Sequence, residues 1–101
     1  MDTYMLAELT IRQFDESTKL IFSGAQLVIV TDTGSRLWYI DIDGMTQTSL
    51  LRSFNESENI RVELTAVTAG GRAFEGTGYL HPNVQHHAAA IRGEGELAGF
   101  K

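Results

Sequence analysis

The chain has 101 residues, 43% of them hydrophobic and 21% charged, with a formal net charge of −5, ten glycines, one proline and no cysteine. That length suits a single domain, 1–101, with one modest core, and the balance is globular rather than disordered. The lack of cysteine excludes disulfides, thiolate metal sites and cysteine nucleophiles, and the negative charge disfavours nucleic acid and anionic membrane at long range.

No apolar stretch approaches the roughly 20 residues that span a bilayer. The amino terminus lacks the basic region and apolar run of a secretory signal, so a cytoplasmic protein without a membrane partner is expected. The eight basic residues are scattered singly and form no patch in sequence.

Within Met1–Phe14, Met5, Ala7, Leu9 and Ile11 alternate with Glu8, Thr10 and Arg12, the period-2 pattern of a strand with one wet face. Asp15-Glu16-Ser17 ends it in a polar turn. Leu20–Val30 reads as a second strand, interrupted by Gly24, and Leu27–Val30 is apolar throughout, the mark of a segment covered on both faces. Thr31-Asp32-Thr33-Gly34-Ser35 is a turn into Leu37–Ile42, and Asp43-Gly44 closes that strand. Thr46–Asn55 fits one or two helical turns capped by Thr48 or Ser49, with Leu50, Leu51 and Phe54 on one face. A short strand fits it nearly as well.

The most regular passage is Ile60–Leu80. Ile60, Val62, Leu64 and Ala66 alternate with Arg61, Glu63 and Thr65, and Gly70-Gly71 supplies the pair that a two-residue hairpin loop favours. Such a loop sets Val62 opposite Tyr79, Leu64 opposite Thr77 and Val67 opposite Phe74. Gly76 and Gly78 then leave a strip of bare backbone, which Trp38, the largest ring available, could cover. His81-Pro82-Asn83 turns the chain. Val84–Arg92 fits a helix stopped by Gly93 or a further strand, and the alternation that continues through Glu94–Phe100 favours the strand.

The candidate sites are few. His81, His86 and His87 are all the histidines of the chain, yet on a strand His86 and His87 leave opposite faces, so no metal is expected. Asp41 with Asp43, and Glu94 with Glu96, each share a strand face, as solvated surface acids commonly do, and no calcium-loop spacing surrounds them. Gly93-Glu94-Gly95 lacks the third glycine and the helix of a dinucleotide loop, and no serine sits in a nucleophile elbow; no cofactor and no catalytic residue is assigned. Trp38 and Tyr39 leave opposite faces of one strand, so one belongs to the core and the other is free for a ligand or subunit contact. The candidates for such a contact are Trp38, Tyr39, Tyr79, His81, His86 and His87.

Gly71-Arg72-Ala73-Phe74-Glu75-Gly76 resembles the glycine–basic–x–aromatic–x–glycine run of Sm-like RNA-binding barrels, which implies a small barrel that binds RNA. The aspartate and asparagine expected further on are missing, with Pro82 and His86 near their places. The glycine pattern of Phe74-x-Gly76 and Gly93-x-Gly95-x-Leu97 is similar to the closing strands of phage tail-tube proteins. Neither run assigns a family.

Together these patterns predict a mainly β fold: a small antiparallel barrel or sandwich of six to seven strands, with room for one short helix. The function expected of it is a non-enzymatic binding or self-assembly module. The alternative is a small-ligand-binding protein or enzyme with a barrel-interior pocket; an RNA-binding Sm-like barrel ranks below both. Few devices blunt strand edges here, with one proline in a turn and only Lys19 and Lys101 as lysines, so a homodimer is expected, paired through Glu94–Phe100 or through Trp38 or Tyr39.

Overall fold

A computed structural model describes residues 1–32 and 35–99; Thr33, Gly34, Phe100 and Lys101, which carry part of one expected turn and the end of the expected edge strand, lie outside them. The strands are β1 (Asp2–Gln13), β2 (Glu16–Lys19), β3 (Gly24–Asp32), β4 (Ser35–Asp43), β5 (Arg61–Thr68), β6 (Ala73–Asn83) and β7 (Ala88–Ala98). One helix, α1 (Thr48–Glu56), joins β4 to β5, and a single 3₁₀ turn over Val84–His86 joins β6 to β7. Every pairing is antiparallel. The order β1-β3-β4-β7-β6-β5 returns to β1 through a β1–β5 ladder, so six strands close a barrel and β2 is an extra strand on β1. Among the described residues no helix is long and apolar enough to cross a membrane.

The inward faces pack a continuous aliphatic core in which Leu9, Leu27, Ile40, Leu64, Phe74 and Ile91 have no exposed surface. Thr68 is the one buried polar residue among those described, and its hydroxyl accepts the Arg72 N–H at 2.9 Å. A barrel this narrow is filled by its own side chains. The interior therefore offers a pocket no polar lining.

Three local features depart from simple alternation. In β1 the pairing with β5 slips between Leu6 and Glu8, a bulge that adds one residue and exchanges the faces. Leu6, Leu9 and Ile11 consequently point inward, whereas Met5, expected on the same face as Leu9, is 52% exposed. In the β5–β6 hairpin, three residues rather than two separate the hydrogen-bonded Thr68 and Arg72. Gly71 donates to the Thr68 carbonyl at 2.9 Å and Thr68 donates to the Arg72 carbonyl at 2.8 Å, with Gly71 alone of the two glycines at positive φ. This is a turn followed by a left-handed residue. The register moves by one: Val62 faces Gly78, Leu64 faces Gly76 and Ala66, not Val67, faces Phe74. Finally, Gly24 does not interrupt a strand but begins β3; the break falls at Leu20–Ser23, between β2 and β3.

Helix α1 begins without a side-chain cap from Thr48 or Ser49. The residue before it, Gln47, is committed elsewhere: its amide donates to the Lys19 carbonyl at 3.2 Å and its oxygen accepts the Ile21 N–H at 2.9 Å. Those bonds satisfy the free edge beyond β2 and fix the helix against it. Leu51 and Phe54 then enter the core with Met45 and Leu20, covering the barrel end where β4 leaves and β5 begins. At the other end Trp38 is 5% exposed and its indole N–H donates to the Gly95 carbonyl at 3.1 Å. Its ring lies over Gly76 and Gly93, where any Cβ would strike it. Gly78 is covered instead by Ile91 and the Arg92 backbone.

Candidate functional site

Outward positions of neighbouring strands stand side by side, so the ladders define the surface. One row runs Thr3, Val28, Tyr39, Arg92, Tyr79, Arg61 across β1, β3, β4, β7, β6 and β5. The next row toward α1 runs Met5, Gln26, Asp41, Ala90, His81. On the opposite side of the first row, Val30 pairs with Leu37.

Two kinds of surface meet on this face. Over β1, β3 and β4 it is apolar: Leu37 is 63% exposed, Met5 52% and Tyr39 38%, around Val28, which is only 5% exposed although it points away from the core. Leu27–Ile29 is thus covered on both sides, with Thr3 and Tyr39 flanking Val28 on the outside, whereas Val30, the last residue of the apolar run, is half-buried. Over β7 the surface drops to the methyl groups of Ala88 and Ala90. This makes a groove of about 490 Å³, walled by Asp41 and Asp43 on β4 and by His81 and Asn83 on β6.

The charges are distributed unevenly. Arg61 pairs with Glu94 at 2.8 Å; that hydrogen bond holds the Glu94 carboxyl below its usual range and raises the Arg61 guanidinium. Lys19 pairs with Glu8 at 2.7 Å and likewise lowers the Glu8 carboxyl. Arg92, Asp41 and Asp43 form no ion pair among the described residues. On this face, a cation and two carboxylates thus stand without an ion pair among the described residues.

The residues singled out from sequence are divided among different places. Trp38 is inside the barrel and unavailable as a contact residue, the core member of its pair with Tyr39. Tyr39, Tyr79 and His81 share the face just described. His86 and His87 lie at the exposed β6–β7 connection, where His87 adopts a left-handed φ of 51° and its carbonyl accepts the Met45 N–H. Among the described residues no three His, Asp or Glu side chains converge to hold a metal ion. Arg72, the basic residue of the Sm-like run, lies 5.1 Å from the Phe74 ring centre and 5.8 Å from that of Tyr4, and donates to the Gly99 carbonyl at 3.3 Å. Its cation serves the barrel end.

Sequence reasoning passed over Met5, Leu37, Arg92 and the two alanines of the groove floor. Each is unremarkable alone, and only the strand order β1-β3-β4-β7 sets them on one face. Comparison with protein-family models, with curated proteins and with solved structures returned no match.

Proposed function

We propose that this protein is a non-enzymatic binding module that assembles with copies of itself through the outer face of β1, β3 and β4. The observation that carries this reading is the exposed apolar cluster of Met5, Leu37 and Tyr39 above the buried Val28. Large exposed apolar patches on soluble domains mark contact surfaces, and aromatic residues and methionine are enriched at their centres. The closed barrel removes most free strand edges, so a face rather than an edge is the natural contact. Light scattering after gel filtration over a range of micromolar concentrations tests it. A dimer is expected for the native chain, and Leu37→Glu should shift it to monomer. A native chain that remains a monomer of 11.2 kDa at every concentration refutes the reading.

A second reading draws on the groove over Ala88 and Ala90, about 490 Å³ of space lined by Asp41, Asp43, His81 and Asn83. A small ligand bearing a positive charge would fit such walls. The filled interior, where Thr68 is the one buried polar residue among those described, supports placing any small-molecule site on this outer surface.

A further inference from the structure

We infer that the groove between the β1–β2 hairpin and the start of β5 is a binding site for a neutral saccharide, with the Phe14 ring as the platform on which a sugar ring lies. The groove has a volume of about 570 Å³. It shares no lining residue with the apolar cluster of Met5, Leu37 and Tyr39, so it stands whether or not that cluster joins two copies.

Phe14 occupies the first position of the two-residue turn between the paired Gln13 and Glu16, at a φ of 52°, a left-handed conformation that an aromatic L-residue adopts only at a cost. Its ring recovers little of that cost inside the chain. It is 73% exposed and has no aromatic or cationic partner among the described residues. A strained residue with an exposed ring at a hairpin tip marks a contact outside the chain. The groove beside it is preformed. The Gln13 side-chain amide donates to the Asn59 carbonyl at 2.9 Å and to the Arg61 carbonyl at 3.0 Å, which ties the hairpin to the segment entering β5. A wall fixed in this way spends no binding energy on ordering itself.

The charges on the walls select the ligand. Arg12 and Arg61 line the groove together with Asp15 and Glu63, two charges of each sign. Both cations are already engaged, Arg12 with Glu63 at 3.8 Å and Arg61 with Glu94 at 2.8 Å. An anionic ligand would have to displace those carboxylates, and a cationic one the guanidiniums. A neutral polyol needs neither exchange, because a paired guanidinium keeps N–H groups to donate and a paired carboxylate keeps lone pairs to accept. The Asn59 side-chain amide and the Ser17 hydroxyl, without a hydrogen bond among the described residues, add donors and acceptors of no charge. A pyranose combines these demands. Its hydroxyls both donate and accept around the rim, and its C–H face carries slight positive charge and lies flat on the negative face of an aromatic ring.

The experiment follows the amide NMR shifts of the full chain at physiological salt. Maltohexaose and cellohexaose are the neutral probes, and hexagalacturonate and hexaglucosamine are their charged counterparts. At least one neutral hexamer should shift the amides of Phe14, Asn59 and Arg61 with a millimolar or tighter dissociation constant, and each charged hexamer should bind about tenfold more weakly. Phe14→Ala should weaken the binding by about tenfold or more, whereas Phe14→Trp should keep it. Replacing Phe14-Asp15 by Asn-Gly, a pair suited to this turn, should abolish binding in a protein that melts no lower than the native chain, which separates lost binding from lost fold. No shift from either neutral hexamer up to about 10 mM overturns the proposal. A charged hexamer that binds as tightly as the neutral ones overturns the neutral class, and binding that Phe14→Ala leaves unchanged overturns the platform.

Discussion

Gly71 holds a φ of +91° with open space around the position of a Cβ, and its neighbour Gly70 has no positive φ and almost as much room. The two glycines therefore separate backbone conformation from crowding. Gly71→Ala should destabilise the protein by about 1 kcal/mol, the cost of a left-handed L-residue, whereas Gly70→Ala should be neutral or slightly stabilising because it restricts the unfolded chain. Urea melts of the two variants measure the difference, and equal losses at both would show that the loop is the tighter two-residue turn. Trp38 poses the opposite problem, a ring pressed on backbone that has no side chains. Gly93→Ala would drive a methyl into the indole, and overpacking of this kind costs about 1–3 kcal/mol. Since Trp38 is the sole tryptophan, its fluorescence should also shift in the native state. At this scale the sequence was partly legible. Gly76 and Gly78 announced a strip for Trp38 to cover, of which only Gly76 lies under the ring, and Gly93 entered only as the stop of the disfavoured helix, because nothing local marks a glycine under a ring.

Among the elements, the β1–β2 hairpin shows best where local signals fail. Its loop is two residues, Phe14-Asp15, with φ of 52° and 64°, between the paired Gln13 and Glu16. Both positive angles are the mark of a type I′ turn, which asparagine and glycine adopt readily and phenylalanine does not. A polar turn was expected one or two residues later, because Asp15-Glu16-Ser17 carries the usual turn composition. The strain at Phe14 gives a stabilising prediction: replacing Phe14-Asp15 by Asn-Gly should raise stability by about 1 kcal/mol, visible as a higher melting temperature. No change would mean that Phe14, although 73% exposed, gains from packing what its backbone loses. The same hairpin carries the Glu8–Lys19 pair. Because Glu8 is lowered in the folded state, its contribution is present above the ordinary carboxylate range and is lost as pH falls through the folded value. Amide exchange in β2 should quicken under acid relative to Lys19→Met, which lacks that pair; identical profiles would count against it. The central hairpin was legible as a hairpin, yet its register was off by one residue, since loop length and not composition sets which residues face each other.

For the whole molecule, closure is the decisive fact. The β1–β5 ladder joins Leu6–Arg12 to Glu63–Thr68, a contact that no local pattern announces. Alternation could restrict the answer to a barrel or a sandwich but not choose between them, and the same ladder removes two of the edges from which self-association was first expected. A partial edge survives on β7. β7 is paired with β4 only from Ala89 to Arg92, and beyond Gly93 its described residues pair with β6 alone, across a bulge where Gly95 holds a φ of +69°. Association through that edge and association through the outer face make opposite predictions for a chain ending at Gly93. Such a chain loses the Gly95 carbonyl that accepts the Trp38 N–H and the Leu97 side chain packed against the core, so it should melt at a lower temperature. It keeps Leu37, Tyr39, Asp41, Ala90 and Arg92 with the ladder that holds them together. Light scattering should therefore find the truncated protein still dimeric at temperatures where circular dichroism shows it folded. A folded, truncated monomer would move the contact to the edge of β7 and away from the face.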